Sequence, residues 1–346
     1  MVIELKKHNA TLFSVLIYVL KNNYLIFVYL FIPLLMRQYL NVSYFAALIF
    51  IPITVILFIF LPKKIGEINY NERLNKSFVA KFSYNIVQFI MVILNIILVS
   101  YTIGRMFFYD SNILLFIIPT ILITLYISTS KIEVIFNSSS FLYIIAILLI
   151  VFPVFLANEV KDFTLLMPFY EFKGFSFLLI FYLILDAISI VLCGVKTDKK
   201  ISKWKLFIPV CIMLIFMSLE LMNIIIITGD SYLIDNEFLG FFTLFIQDTI
   251  NYIGNLGLFF LYVIPIVGCY KAGLSLRVLK NSFNIKDNLF INILLFVIFF
   301  FLVTIIIYYL EIPKFSLYSI IASTVFLSIT YLFIILNRSL NYEIHF

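Results

Sequence analysis

Asp186 lies inside the apolar run Phe175–Cys193, which is long enough to cross a bilayer. A carboxylate at bilayer depth costs at least about 2.5–3.5 kcal/mol on insertion scales, so it demands a cavity, a cation or helix-end dipoles. The chemistry open to it is recognition of positive charge: orienting an amine, coordinating an ion or pairing with a buried base. Lys21, Asn22 and Asn23 are the second feature of this kind, consecutive polar residues between LFSVLIYVL and YLIFVYLFIPLL. Three adjacent polar residues cover most of a helical turn and cannot all face one neighbour. A backbone that unwinds there frees N–H and C=O groups for a ligand. Lys271 is the other unambiguous charge within an apolar segment, and it is the expected charge partner of Asp186.

Two readings stay open at each point. Lys21 lies in mid-span, or it snorkels to the interface if residues 12–20 are interfacial and the span begins at Tyr24. An Asp186–Lys271 pair is a structural bridge or part of a ligand or ion site, and the two roles are compatible. Gln88, Asn95, Glu220 and Asn223 read as groups that hydrogen-bond between helices.

The elements that must position these residues follow from composition. Of the 346 residues, 64% are hydrophobic and 12% charged, against roughly 45–50% and 25% in soluble domains. Apolar windows near the ~20 residues of a spanning helix recur at about 11–36, 43–62, 83–107, 112–130, 138–157, 174–195, 205–228, 250–276, 288–310 and 316–337. The expected class is an all-α polytopic membrane protein of about ten transmembrane helices, with residues 1–346 forming one transmembrane domain. The first window is too long for a removable signal peptide, and no connection exceeds about twenty residues, which leaves no room for a soluble domain.

Charge orients the bundle. With the N-terminus in the cytoplasm, that side carries Lys6, Lys7, Lys63, Lys64, Arg73, Lys76, Lys81, Lys131, Lys196, Lys199, Lys200, Lys203, Lys205, Arg277, Lys280, Lys286 and Arg338. The other side carries Arg37, Arg105, Lys161, Lys173 and Lys314. Seventeen against five is an inside-positive bias that puts both termini in the cytoplasm. The net charge of +6 is accounted for by this topology and does not mark a nucleic-acid surface. On the outer side, Asn158–Lys173 and Gly229–Thr249 mix aromatic and acidic residues as surface-lying amphipathic segments do.

Enzyme signatures are missing: there is no GxSxG, P-loop or HExxH, and the two histidines, His8 and His345, sit at the termini. Cys193, Cys211 and Cys269 fall in apolar segments without paired spacing and read as core filling, so neither a metal nor a cofactor is expected. Asn-x-Ser/Thr triplets at Asn9, Asn41, Asn75 and Asn137 follow from the Asn-rich composition. The polar interruptions fall in the first and sixth of ten spans. Secondary transporters built from inverted five-helix repeats bind their substrates at breaks in discontinuous helices near mid-membrane. A LeuT-like 5+5 inverted repeat is therefore expected, with helix 1 discontinuous near Lys21–Asn23 and helix 6 near Leu185–Asp186.

A series of short motifs resembles the spore germination receptor B-subunit family, a branch of the amino acid/polyamine/organocation permeases. Ile103–Phe107 (IGRMF) closes the third span, and Lys131–Leu142 (KIEVIFNSSSFL) enters the fifth. Leu166–Gly174 (LMPFYEFKG) follows in an outer loop. Phe181–Lys200 is similar to the family's sixth helix, with Asp186 on its conserved-type acid, and Gly268–Lys271 (GCYK) resembles the eighth-helix motif. The likeness runs from about residue 10 to about 340. It departs from the pattern where Lys21–Asn23 replace a helix-1 glycine, where Ile184–Leu185 precede the acid, and at the uncharged Gly254–Gly257.

The resemblance implies a ligand site formed by Lys21, Asn22, Asn23, Ile184, Leu185 and Asp186, with Lys271 as charge partner. It implies binding of a small germinant, an amino acid, in the inner membrane of a spore, alongside A-type and C-type receptor subunits. An amino-acid permease is the alternative within transport. A membrane polysaccharide polymerase is the alternative from another class; it calls for large outer loops with Arg/His clusters, and the outer loops here hold single basic residues.

Overall fold

The computed structural model describes residues 9–27, 31, 43–60, 74–107, 112–141, 144, 176–197, 203–228 and 256–340. Almost all of them are helical. The helices are α1 (Leu12–Lys21), α2 (Tyr24–Ile26), α3 (Ser43–Phe60), α4 (Phe78–Phe107), α5 (Leu114–Thr129), α6 (Ser176–Ser189), α7 (Lys203–Thr228), α8 (Leu256–Ser282), α9 (Leu289–Tyr309) and α10 (Ile312–Leu340). A 3-10 turn, Ile190–Cys193, continues α6, and residues 132–141 are helical as well. Among the described residues, four helices hold spans long and apolar enough to cross a membrane: Phe78–Gly104, Trp204–Met222, Leu289–Tyr309 and Ile312–Ile334. Helix is the form that lets such segments satisfy every backbone group internally where water is absent. The rest of the fifth window, the segments Asn158–Lys173 and Gly229–Thr249, the loop residues Lys63, Lys64, Lys199 and Lys200, and both termini lie outside the described residues.

Burial sorts the helices into inner and outer ones. In α4, 78% of the spanning window is buried, against 11% in α9, so α4 is a central post and α9 faces outward. α4 packs along α8 and α10 and against α5, while α7 packs on α3 and α1, and α6 on α10. Gly268 makes one of these approaches possible. A β-carbon there would stand 2.5 Å from both Leu25 Cδ2 and Val99 Cγ2, so α8 closes on α2 and α4 only because the side chain is missing. Gly273 does the same against α5, where Ile127 Cγ2 would lie 2.5 Å away.

The first apolar window is interrupted where its apolar pattern is interrupted. α1 ends at Lys21, Asn22 and Asn23 form a turn, and α2 starts at Tyr24. Its beginning is anchored by Thr11, whose hydroxyl accepts from Ser14 N at 3.0 Å as an N-cap does. Asn137 Oδ1 accepts from Thr11 N at 3.1 Å and from Ser14 Oγ at 2.9 Å, and Ala10 N donates to Lys196 O at 2.8 Å. The start of α1 is thus tied both to residues 132–141 and to the chain just past the sixth span.

The sixth apolar window differs from expectation. It is α-helical through Leu185 and Asp186, and its geometry changes only at Ile190–Cys193, before Gly194 ends it with a φ of 74°. The acid does not unwind its helix because its partners come from other segments. Helix ends of this kind favour glycine, which enters the left-handed region without steric cost.

Candidate functional site

The interruption in the first apolar window lies against the acid of the sixth window. Among the described residues, Asn22 Nδ2 donates to Asp186 Oδ2 at 3.0 Å, Asn23 Nδ2 at 2.8 Å and Lys271 Nζ at 2.6 Å. All four side chains are buried, Asp186 to 1% exposure and Lys271 to 5%. Charge-assisted bonds of this length are the strong class of hydrogen bond. The turn between α1 and α2 lets two consecutive side chains reach one oxygen, which a continuous helix would splay about 100° apart.

The backbone around the acid is held as well. Ser189 Oγ donates to Asp186 O at 2.7 Å, and Tyr331 Oη on α10 donates to Leu185 O at 3.2 Å. The site is therefore assembled from α1/α2, α6, α8 and α10, and Gly268, one turn before Lys271, brings α8 close enough for the lysine to reach.

The asparagine orientations follow from the carboxylate, since a flipped amide would set oxygen against oxygen. This leaves Asn22 Oδ1 and Asn23 Oδ1 buried without a hydrogen-bond partner among the described residues. An orphaned buried acceptor costs about 1–3 kcal/mol. Two of them lie beside a carboxylate oxygen that already receives three donors. Ile184 and Leu185 are buried apolar side chains beside this point, and the polar contribution of Leu185 is its backbone carbonyl. Lys21 ends α1, and its side chain lies outside the described residues.

Several participants were not singled out by pattern. Tyr84 Oη meets Cys193 Sγ at 3.2 Å, so this cysteine is more than core filling. Asn95, expected to bridge helices, donates to Met91 O at 2.8 Å within its own helix. Lys280, placed among the loop charges by sequence, is 1% exposed. It donates to Ser128 Oγ at 2.9 Å, Asp287 Oδ1 at 2.8 Å and Asn292 Oδ1 at 2.9 Å. Arg277 also pairs with Asp287. Burial pushes the Asp287 carboxyl up, but hydrogen bonds and charge from Lys280 and Arg277 outweigh it and hold the carboxyl below its ordinary value. The signal in the sequence was the spacing of Arg277, Lys280 and Asp287 around a helix end, where cations favour the last turn.

No protein family model matches the chain, and no characterised protein matches it.

Proposed function

We propose that this chain is the membrane subunit of a spore germinant receptor, which binds a small germinant at mid-membrane and triggers germination. The germinant is an amino acid in this reading. The chain lies in the inner membrane of the spore with both termini in the cytoplasm, and its role is recognition without catalysis. One observation carries the reading: side chains from the break in the first apolar segment and from the eighth converge on Asp186 Oδ2 of the sixth, with two orphaned asparagine oxygens beside it. An ammonium group of an amino acid matches that set of acceptors. The motif resemblance supplies the receptor context.

The packing order supports a LeuT-like fold of ten spans in two inverted five-helix halves. Spans five apart lie side by side: α3 with α7 as second and seventh, α4 with α8 as third and eighth, α5 with α9 as fourth and ninth. A pseudo-two-fold relation between halves generates such pairs. The same pairing favours a second reading, an amino-acid permease that completes alternating access in one bundle. A receptor of this build has short loops and passes its state to A-type and C-type partner subunits.

Co-purification from native membrane, together with flux by the isolated chain in liposomes, separates the two. The receptor reading expects a stable complex with a larger subunit and no flux. Saturable amino-acid flux without any partner would overturn it in favour of the permease.

A further inference from the structure

A groove runs between α4, α8 and α9 at the end of the bundle where α8 gives way to α9. Its volume is about 350 Å³. Phe82 near the start of α4, Phe283 directly after α8, and Ile285 in the connection border its outer end. Phe89 and Phe299 border its inner end, with ring centroids 5.9 Å apart. Phe82 and Phe89 are two turns apart on one helix, so the groove follows α4 for about 10 Å. Phe82, Phe89 and Ile298 are exposed, so it opens sideways from the bundle along its flank.

Apart from Asn85 and Lys280, the wall is made of apolar residues. Lys280 donates to Ser128, Asp287 and Asn292, which engages all three of its donors and leaves its methylene stem for the wall. Asn85 is shared with a smaller hollow that Asn75 and Asn281 also border. A polar solute therefore finds little to bind here. A 10 Å length of helix, about 10–12 Å across with its side chains, has about twice the volume of the groove. An acyl chain is slender and apolar, and it runs in the direction of α4 and α9, which both hold spanning segments. Positive charge stands at the outer end: Lys81 beside Phe82, half-buried, and Lys286 beside Ile285, exposed. The neighbouring acid, Asp287, is already paired with Arg277 and Lys280.

We propose that this groove is a binding site for an anionic phospholipid, with one acyl chain lying between Phe82 and the Phe89–Phe299 contact and the phosphate at Lys81 and Lys286. Burial of the chain supplies affinity, and the two lysines select the charge of the headgroup. The Lys280 network stays intact when the lipid is seated. The site is independent of the germinant reading and of which face of the membrane this end of the bundle meets.

The test titrates the full chain in detergent with phosphatidylglycerol or with phosphatidylcholine of the same acyl chains, and reads bound lipid by native mass spectrometry. The parent should retain phosphatidylglycerol preferentially. Lys81→Gln with Lys286→Gln should lower that retention by about tenfold or more, to the level of phosphatidylcholine. Ile298→Trp, which puts a larger side chain at the groove wall, should lower retention of both lipids. The comparison is made among variants that melt in detergent as the parent does, and Lys286→Gln alone, at an exposed position, carries the charge test if the double variant does not fold. Equal retention of the two lipids by the parent would overturn the proposal. Preferential retention that survives Ile298→Trp would put the lipid elsewhere and overturn it as well. A two-chain mass without lipid would overturn it in favour of a second copy of this chain on the groove.

Discussion

Lys271 on α8 holds Asp186 on α6 at 2.6 Å, with both side chains withdrawn from solvent and two asparagines from the first span bonded to the same carboxylate oxygen. The pair and the two asparagines join three segments far apart in sequence. The ion pair's Coulomb attraction offsets desolvation only while both charges are present, which makes each member the test of the other.

Asp186→Asn keeps the shape and removes the charge. Leaving a buried lysine unmatched costs about 3–5 kcal/mol. On the proposed receptor reading, the expected outcome is protein that inserts at near-normal abundance and gives no response to germinant. Asp186→Asn with Lys271→Met should regain thermal stability in detergent without regaining the response. A fully responsive Asp186→Asn variant would show that the acid is incidental.

Gly268→Ala should destabilise the bundle by about 1–3 kcal/mol, the usual range for overpacking. The added carbon meets the Leu25 and Val99 methyl groups at 2.5 Å, and the β-branched Val99 side chain has the least freedom to yield. Gly104→Ala is the control, because its nearest neighbour is the Phe116 ring at 3.2 Å, which has only to tilt. Melting temperatures of the two variants in one detergent decide the matter: equal losses would mean that Gly268 is not a close-packing point.

The connection between α8 and α9 should be acid-sensitive. Asp287 titrates below its ordinary value of 3.8 in the folded protein. A depressed carboxylate adds stability that is fully present above the unfolded pKa and is lost as pH falls through the folded one. Proteolysis near residue 285 should therefore stay constant from neutral pH down to the ordinary carboxylate range and rise only below it. Asp287→Asn should cleave faster at neutral pH and lose most of the pH dependence. An equally steep acid response in that variant would assign the effect to another group.

Topology has its own check. A cysteine introduced at Ser202, within the basic stretch Lys196–Lys205, should react with an impermeant thiol reagent in inside-out vesicles. Reaction in right-side-out vesicles would reverse the orientation.

The break in the first span was legible because Lys21–Asn23 leave no single face for three polar side chains, a local property that any helical arrangement must meet. Lys271 as the partner of Asp186 was legible for a similar reason: a buried charge needs its opposite, and few are available inside the apolar segments. The change in helix 6 was placed too early. Leu185 and Asp186 stay helical, and the acid is met by side chains arriving from α1/α2 and α8 without any unwinding of its own backbone. The local signal for the true end was Gly194, a glycine placed where a helix turns left-handed.

What the chain determined alone is its helical, apolar build and the identity of the residues that cannot be left unpaired, since hydrophobic run length and the cost of buried charge act residue by residue. Tertiary structure decided which groups meet. Asn137 at the start of α1, Tyr84 against Cys193, and Lys280 drawn into a buried network with Ser128 and Asn292 are contacts across separate segments. No periodicity in the sequence encodes them, because they arise when Gly268 and Gly273 let helices approach and the side chains that then face each other must satisfy one another.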